Sequence, residues 1–168
     1  IIGGILRMVA ETAYRTVQQS EHLIRPLHEV MIPRDRVVTL AHDTPLQEFQ
    51  DQFLRYGYRA YPTAQHDHIT GLVYYKDVRT DPKWLMPNEN NITPFIRALS
   101  PDLIVHPNHS LQRALDSMLL SGSDQLLVFS ENRCVGMVTR SMIARVQDAI
   151  GNPESASTIT RQREGFPI

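Results

Sequence analysis

The chain has 168 residues, 42% apolar and 21% charged, which is enough to bury a core in one or two small units and too little for a large multidomain enzyme. Its 17 basic and 18 acidic side chains give a net charge of −1 with histidine neutral, so no overall positive field exists to draw in nucleic acid. The lone cysteine, Cys134, excludes an intrachain disulfide framework, favours a reducing compartment and reads as a buried strand residue.

The apolar opening Ile1 to Leu6 is stopped by Arg7 and cannot cross about 30 Å of hydrocarbon, and no cleavable signal pattern follows it. The chain opens without a methionine, so it is expected to be a piece of a longer protein that follows a membrane span. Leu6, Val9, Ala10, Ala13 and Val17 keep the spacing of one helix face, which predicts an amphipathic linker helix over 1–26 that Pro26 limits.

A first unit is expected over 27–80. Arg36 to Leu40 is short and β-branched, as a strand requires, and Asp43-Thr44-Pro45 offers a helix cap followed by proline in the first turn. The spacing of Leu46, Phe49, Phe53 and Leu54 predicts a helix from Pro45 to Tyr56, ended by Gly57. Tyr58 to Ala64 and Ile69 to Tyr75, joined by the polar turn Gln65 to His68, read as a β-hairpin running into a short helix at Lys76-Asp77-Val78. The polar, proline-containing stretch 81–91 reads as a linker.

The second unit, 92–150, repeats the first. A constant shift of 65 residues pairs Gly71-Leu72-Val73 with Gly136-Met137-Val138 and Gly57 with Gly122, and it also pairs Leu46 with Leu111 and Leu54 with Leu119. The second copy then runs as strand Leu103 to His106, helix Ser110 to Ser121 with Asn108 as its cap, strands Gln125 to Phe129 and Arg133 to Thr139, and helix Arg140 to Ile150. The fold class is therefore α+β: two βαββα repeats packed sheet to sheet about a pseudo-twofold axis, because a three-stranded sheet with one covered face is marginal alone. That symmetry creates two equivalent clefts. The polar segment 151–168 reads as a flexible tail.

Catalytic patterns are sparse. His28-Glu29-Val30-Met31-Ile32 places Ile32 where a zinc helix needs its second imidazole, and His66 and His68 flank a solvated turn. No nucleophile elbow, P-loop or dinucleotide fingerprint occurs, so the chain is expected to be non-catalytic, without a resident metal or required cofactor. Each repeat instead ends with a glycine-containing strand that runs directly into a helix. A hydroxyl on the last strand residue and the first helical amides can hold a phosphate there, and a carboxylate three residues on can accept from ribose.

These residues resemble the CBS domain pair, or Bateman module, whose motif is Gly-apolar-x-Thr/Ser-x-x-Asp/Asn in each copy. The likeness spans about Leu27 to Ile150. In the first copy, Gly71-Leu72-Val73-Tyr74-Tyr75-Lys76-Asp77, the resemblance implies a ribose-facing Asp77 but puts Tyr74 at the hydroxyl position. In the second, Gly136-Met137-Val138-Thr139-Arg140-Ser141-Met142, it implies a phosphate-facing Thr139 but puts Met142 at the acidic one. Lys76 and Arg140 add positive charge beside the two helix starts, and Val37 and Val38 stand where the family walls a base. The ligand implied is AMP, ADP, ATP or S-adenosylmethionine, held weakly because neither motif is complete. The bland alternative makes Asp77 a helix cap and Thr139 a packed strand end, in a pair that serves only to assemble.

Two parent families contain such segments. Phe53 to Pro62 with Gly71-Leu72-Val73, and Ala114 to Leu119 with Gly136 to Arg140, resemble the soluble C-terminal region of site-2 protease-type intramembrane metalloproteases. Val30-Met31-Ile32-Pro33-Arg34 resembles CorC-like ion-efflux proteins, although Ser130 to Arg133 departs from their acidic turn. The leading expectation is a regulatory module of the protease on the cytoplasmic face of a membrane, and the alternative is the CorC type. Homodimerisation through helical faces containing Phe49, Phe53, Met118 and Leu119 is the remaining expectation.

Overall fold

The computed structural model describes residues 5, 7–10 and 23–151. Residues 5 and 7–10 are helical and exposed; the rest of the expected linker helix up to residue 22, and the expected tail from 152, lie outside the described residues. Among the described residues no helix is long and apolar enough to cross a membrane.

The first repeat contributes β1 (Ile32–Pro33), β2 (Leu40–Ala41), α1 (Leu46–Tyr56), β3 (Ala60–Gln65), β4 (His68–Tyr74) and α2 (Tyr75–Arg79). The second contributes β5 (Arg97–Ala98), β6 (Ile104–Val105), α3 (Leu111–Ser121), β7 (Gln125–Ser130), β8 (Arg133–Thr139) and α4 (Arg140–Gly151). Both long helices end on a left-handed glycine, Gly57 and Gly122, each with φ of 67°. Both hairpins turn through two residues of positive φ, His66-Asp67 and Glu131-Asn132. The 65-residue shift therefore holds in backbone conformation as well as in sequence.

Each sheet has four strands rather than three, because the repeats exchange their leading segments. The orders are β1-β8-β7-β6 and β2-β3-β4-β5. Ile32 and Pro33, which lead into the first repeat, pair with Met137 and Gly136 of the second. Arg97 and Ala98, which lead into the second, pair with Leu72 and Gly71 of the first. The exchange begins further upstream: the Leu27 amide donates to His109 O at 2.9 Å, and its counterpart, the Ile92 amide, donates to Thr44 O at 3.0 Å. The expected linker is thus ordered against α1, with Pro82–Leu85 forming a 3-10 turn and Ile92 fully buried.

This exchange accounts for two corrections. The strands expected at Arg36 to Leu40 and Leu103 to His106 shrink to Leu40–Ala41 and Ile104–Val105, preceded by 3-10 turns at Arg34–Arg36 and Pro101–Leu103. Only Leu40–Ala41, ending one residue beyond the expected strand, and Ile104–Val105, the middle of the expected run, reach a parallel partner, while Val37 turns into the core. The caps also differ from expectation. Neither Asp43 nor Asn108 caps its helix; the Leu46 amide is taken by Asn90 O at 2.9 Å and the Leu111 amide by Arg25 O at 3.1 Å, both from exchanged segments. In α3 the side-chain cap is Ser110, which accepts from the Arg113 amide at 3.2 Å.

One core spans both repeats. Leu27, Val37, Ala60, Ile69 and Leu72 pack with Val105, Leu111, Met118, Leu126, Val128 and Met137. A second cluster under α1 joins Leu46, Phe49, Tyr61, Val73, Val78 and Ile92. There Tyr61 is fully buried, donates its hydroxyl to Gln52 O at 3.2 Å, and has its phenol pushed by burial up to about 12.

Candidate functional site

Two neighbouring clefts lie where the helix-to-strand turn of one repeat faces the strand-to-helix junction of the other. The first, of about 560 Å³, is walled by Tyr74, Tyr75, Lys76 and Arg79 on one side and Gly122 to Asp124 on the other. The second, of about 450 Å³, sets Thr139, Arg140, Ser141 and Ala144 against Gly57 to Arg59. Arg59, Asp124 and Gln125 line both. Each wall of one cleft maps onto a wall of the other by the 65-residue shift, so these are the two symmetry-related clefts the repeat implies.

The shared partition is built from side chains. Arg59 and Asp124 occupy equivalent positions in the two repeats and pair at 2.6 Å between Nη1 and Oδ2. Arg140 Nε holds the other carboxylate oxygen of Asp124 at 3.0 Å. Beneath them Gln125 is buried and ties the repeats together through the backbone of Ala60. Ser123, also buried, donates its hydroxyl to Gln125 O at 2.8 Å and stands 3.5 Å from the Tyr74 hydroxyl across the first cleft.

The residues singled out in the sequence divide among several environments. Lys76 lines the first cleft, and Thr139 and Arg140 line the second. Thr139 is buried and caps α4, accepting from the Met142 amide at 3.2 Å. Asp77 does not cap α2; it pairs with Arg97 of the exchanged strand at 2.6 Å, and the same guanidinium lies 4.9 Å from the centre of the Tyr74 ring. Val37 belongs to the shared core and Val38 packs against the cluster under α1, and neither lines a cleft. Gly71 and Gly136 lie beneath the exchanged strands. A Cβ there would stand 2.5 Å from Arg97 O and from Ile32 O respectively, so the packing of the exchange requires glycine at both.

Arg59, Asp124 and Arg79 are cleft residues that the motif left out: Arg59 and Asp124 because the motif describes one wall and the facing wall comes from the other repeat, Arg79 because it lies two residues beyond the motif's last position on the same wall. The signal was present in the sequence: the 65-residue shift that aligns Gly57 with Gly122 also sets an arginine against an aspartate two residues later. Histidine chemistry is absent from the clefts, and among the described residues no group of three or more His, Cys, Asp or Glu is placed to hold a metal. Burial raises the Cys134 thiol, as a strand residue of low reactivity requires.

The family model for the CBS domain matches residues 27–81 and 96–149. Among solved structures, the chain is similar to the CBS domain of the bacterial CNNM/CorC family Mg2+ transporter in complex with ATP. That match has 18% identity and a TM-score of 0.69 over 82% of this chain and 97% of the other. It is also similar to a hemolysin-like CBS protein of Oenococcus oeni PSU, with 18% identity and a TM-score of 0.65 over 78% and 96% of the two chains. A third, CBSX2 in complex with AMP, has 16% identity and a TM-score of 0.60 over 71% and 94%. Comparison with curated proteins gives no match. Identities at this level speak for the fold alone.

Proposed function

From the premise that this chain belongs to the CBS domain family, with two copies of the domain, we propose that it is the nucleotide-sensing regulatory module of a membrane-bound parent, acting at the cytoplasmic face. CBS domains are regulatory rather than catalytic units. The ligand is an adenine nucleotide. The observation that carries this reading is the first cleft, which gathers Arg59, Lys76 and Arg79 about a cavity of about 560 Å³ bounded by the Tyr74 and Tyr75 side chains. Similar folds have been solved with ATP and with AMP, which supports the ligand class.

The CorC type of parent is the better supported of the two considered. The Val30 to Arg34 run that resembles it falls on the exchanged segment, and a transporter of that family supplies one of the similar structures. The site-2 protease reading keeps only its sequence motifs. Regulation would act through the shared core: a ligand that grips both walls of a cleft fixes the angle between the repeats and biases whatever the 1–26 segment joins.

Binding is weak because Tyr74 stands where a phosphate-facing hydroxyl is expected and Asp77 is committed to Arg97. Calorimetry with AMP, ADP, ATP and S-adenosylmethionine tests this. Saturable heat for an adenine nucleotide, abolished in a Lys76→Ala/Arg79→Ala double variant, is the expected result, and no heat from any of the four up to millimolar concentration overturns it.

A further inference from the structure

The two clefts have the same walls by symmetry and opposite electrostatic circumstances. The first is lined by three cations, Arg59, Lys76 and Arg79, and one carboxylate, Asp124. Neither Lys76 nor Arg79 takes part in an ion pair among the described residues, and Arg79 rests 5.8 Å over the Tyr75 ring. The second is lined by two cations, Arg59 and Arg140, and both are already held by that same carboxylate, at 2.6 and 3.0 Å. Asp124 stands at the partition with each of its oxygens on a different guanidinium, in the manner of a bound phosphate.

We propose that Asp124 is the specificity-determining residue of the pair: its carboxylate occupies the guanidinium groups that an anionic ligand in the second cleft would need, and so restricts phosphate binding to the first. This rests on the nucleotide-sensing reading above and adds to it a stoichiometry of one and a reason for that number. Exposed ion pairs contribute little to stability, and Arg59 is 80% exposed in its side chain, so the arrangement does not hold the fold together. Its effect falls on a ligand. A phosphate entering the second cleft must displace Asp124 from two guanidinium groups and then lie beside an unpaired carboxylate. In the first cleft it meets two cations that have no carboxylate to give up.

The residue equivalent to Asp124 in the other repeat is Arg59, of opposite charge; both line both clefts, and what separates the clefts is that the remaining cation of the second, Arg140, is also on Asp124 while Lys76 and Arg79 of the first are not. Asp124→Asn keeps the size and one accepting oxygen, removes the charge and turns the other oxygen into a donor that cannot hold a second guanidinium. Asp124→Ala removes the charge, the size and the acceptor together and serves as a second variant.

The experiment is calorimetric titration of the whole chain with ADP and, separately, with inorganic pyrophosphate, on the unaltered protein, on both Asp124 variants, and on each combined with Lys76→Ala/Arg79→Ala. Thermal melts establish that each variant is folded. The unaltered protein is expected to bind one equivalent, and Asp124→Asn to bind a second with affinity at least about 10-fold above any residual binding there. The second equivalent should survive the Lys76→Ala/Arg79→Ala change. One equivalent in every folded Asp124 variant, with unchanged affinity, overturns the role of Asp124 and leaves nucleotide sensing standing. Two equivalents in the unaltered protein overturn it as well. Binding by the Asp124 variants alone supports the role while removing the sensing function of the unaltered chain, and silence in all of them removes both.

Discussion

Gln125 and Ala60 occupy equivalent positions in the two repeats, 65 residues apart, and are joined by a pair of hydrogen bonds: the Gln125 carboxamide accepts from the Ala60 amide at 2.6 Å and donates to the Ala60 carbonyl at 3.0 Å. A side chain thereby joins at the pseudo-twofold axis what backbone pairing does not, because β3 and β7 belong to different sheets and are not hydrogen-bonded neighbours. Both clefts rest on this contact, since Gln125 and the residues beside Ala60 line each of them.

Replacing Gln125 by leucine should therefore cost more than its volume suggests. Gln125 is 3% exposed and Ala60 1%, so the substitution leaves an amide and a carbonyl buried without partners. Each orphaned group carries a penalty of about 1–3 kcal/mol, giving an expected loss of about 2–6 kcal/mol in urea unfolding. A loss below about 0.5 kcal/mol would show that water reaches Ala60 and that the axis is not sealed.

Gly136→Ala and Gly71→Ala test the exchange of leading segments. The added methyl would meet backbone, Ile32 O in one case and Arg97 O in the other, and backbone cannot rotate away as a side chain can. Each should cost about 1–3 kcal/mol and speed amide exchange in β1 or β5 respectively, read by hydrogen exchange. If the slowed amides of Ile32 or Arg97 keep their protection in the variants, the two strands are not packed across those glycines.

How much of this was legible in the sequence can be stated residue by residue. Helical spacing and the glycines at 57 and 122 located α1 and α3 within a residue, because both signals are local. The hairpins were equally plain from their alternating strands and polar turns. β1 and β5 were not, since a two-residue strand has no period, yet the same 65-residue shift carried upstream pairs Leu27 with Ile92 and Ile32 with Arg97. Asp43 and Asn108 are good capping residues by type, but the helix starts they precede are satisfied by carbonyls delivered from a distant part of the chain, which no local rule records. The same limit hid Arg59 and Asp124, whose meaning depends on the opposite repeat.

Acid should loosen the clasp between residues 25–28 and 106–111. His109 Nδ1 accepts from the His106 amide at 3.1 Å, and its own carbonyl receives the Leu27 amide. Its pKa is lowered from the ordinary 6.5, by burial first and then by Arg113 and His106. A depressed folded-state value means that the unfolded chain binds the proton more readily. Stability is then fully present above the ordinary histidine range and falls as the pH drops through 6.5 toward the folded value. The melting temperature should decline on acidification across that window, and His109→Asn should flatten the decline. An unchanged slope in the variant would assign the acid sensitivity to other groups.

Self-association is the last expectation the surface bears on, and the structure changes which residues would carry it. Phe49 and Met118, expected on the contacting faces, are fully buried, and Phe53 is stacked on Tyr75 with ring centres 3.6 Å apart. Leu119 is 77% exposed as expected, together with Leu120 and the symmetry-equivalent Leu54 at 82%. If two copies meet about a twofold axis through these helices, every substitution acts twice, once from each copy. A buried leucine contributes about 1.5–3 kcal/mol, so Leu119→Asp should weaken the dimer by about 3–6 kcal/mol, a hundredfold or more in dissociation constant. The melting temperature of the isolated fold should scarcely move, because the side chain makes no core contact. Sedimentation velocity over a wide concentration range reads the difference. A monomer at the highest concentration of the unaltered chain would remove the dimer, and a dimer that survives both Leu119→Asp and Leu54→Asp would move its interface to another face.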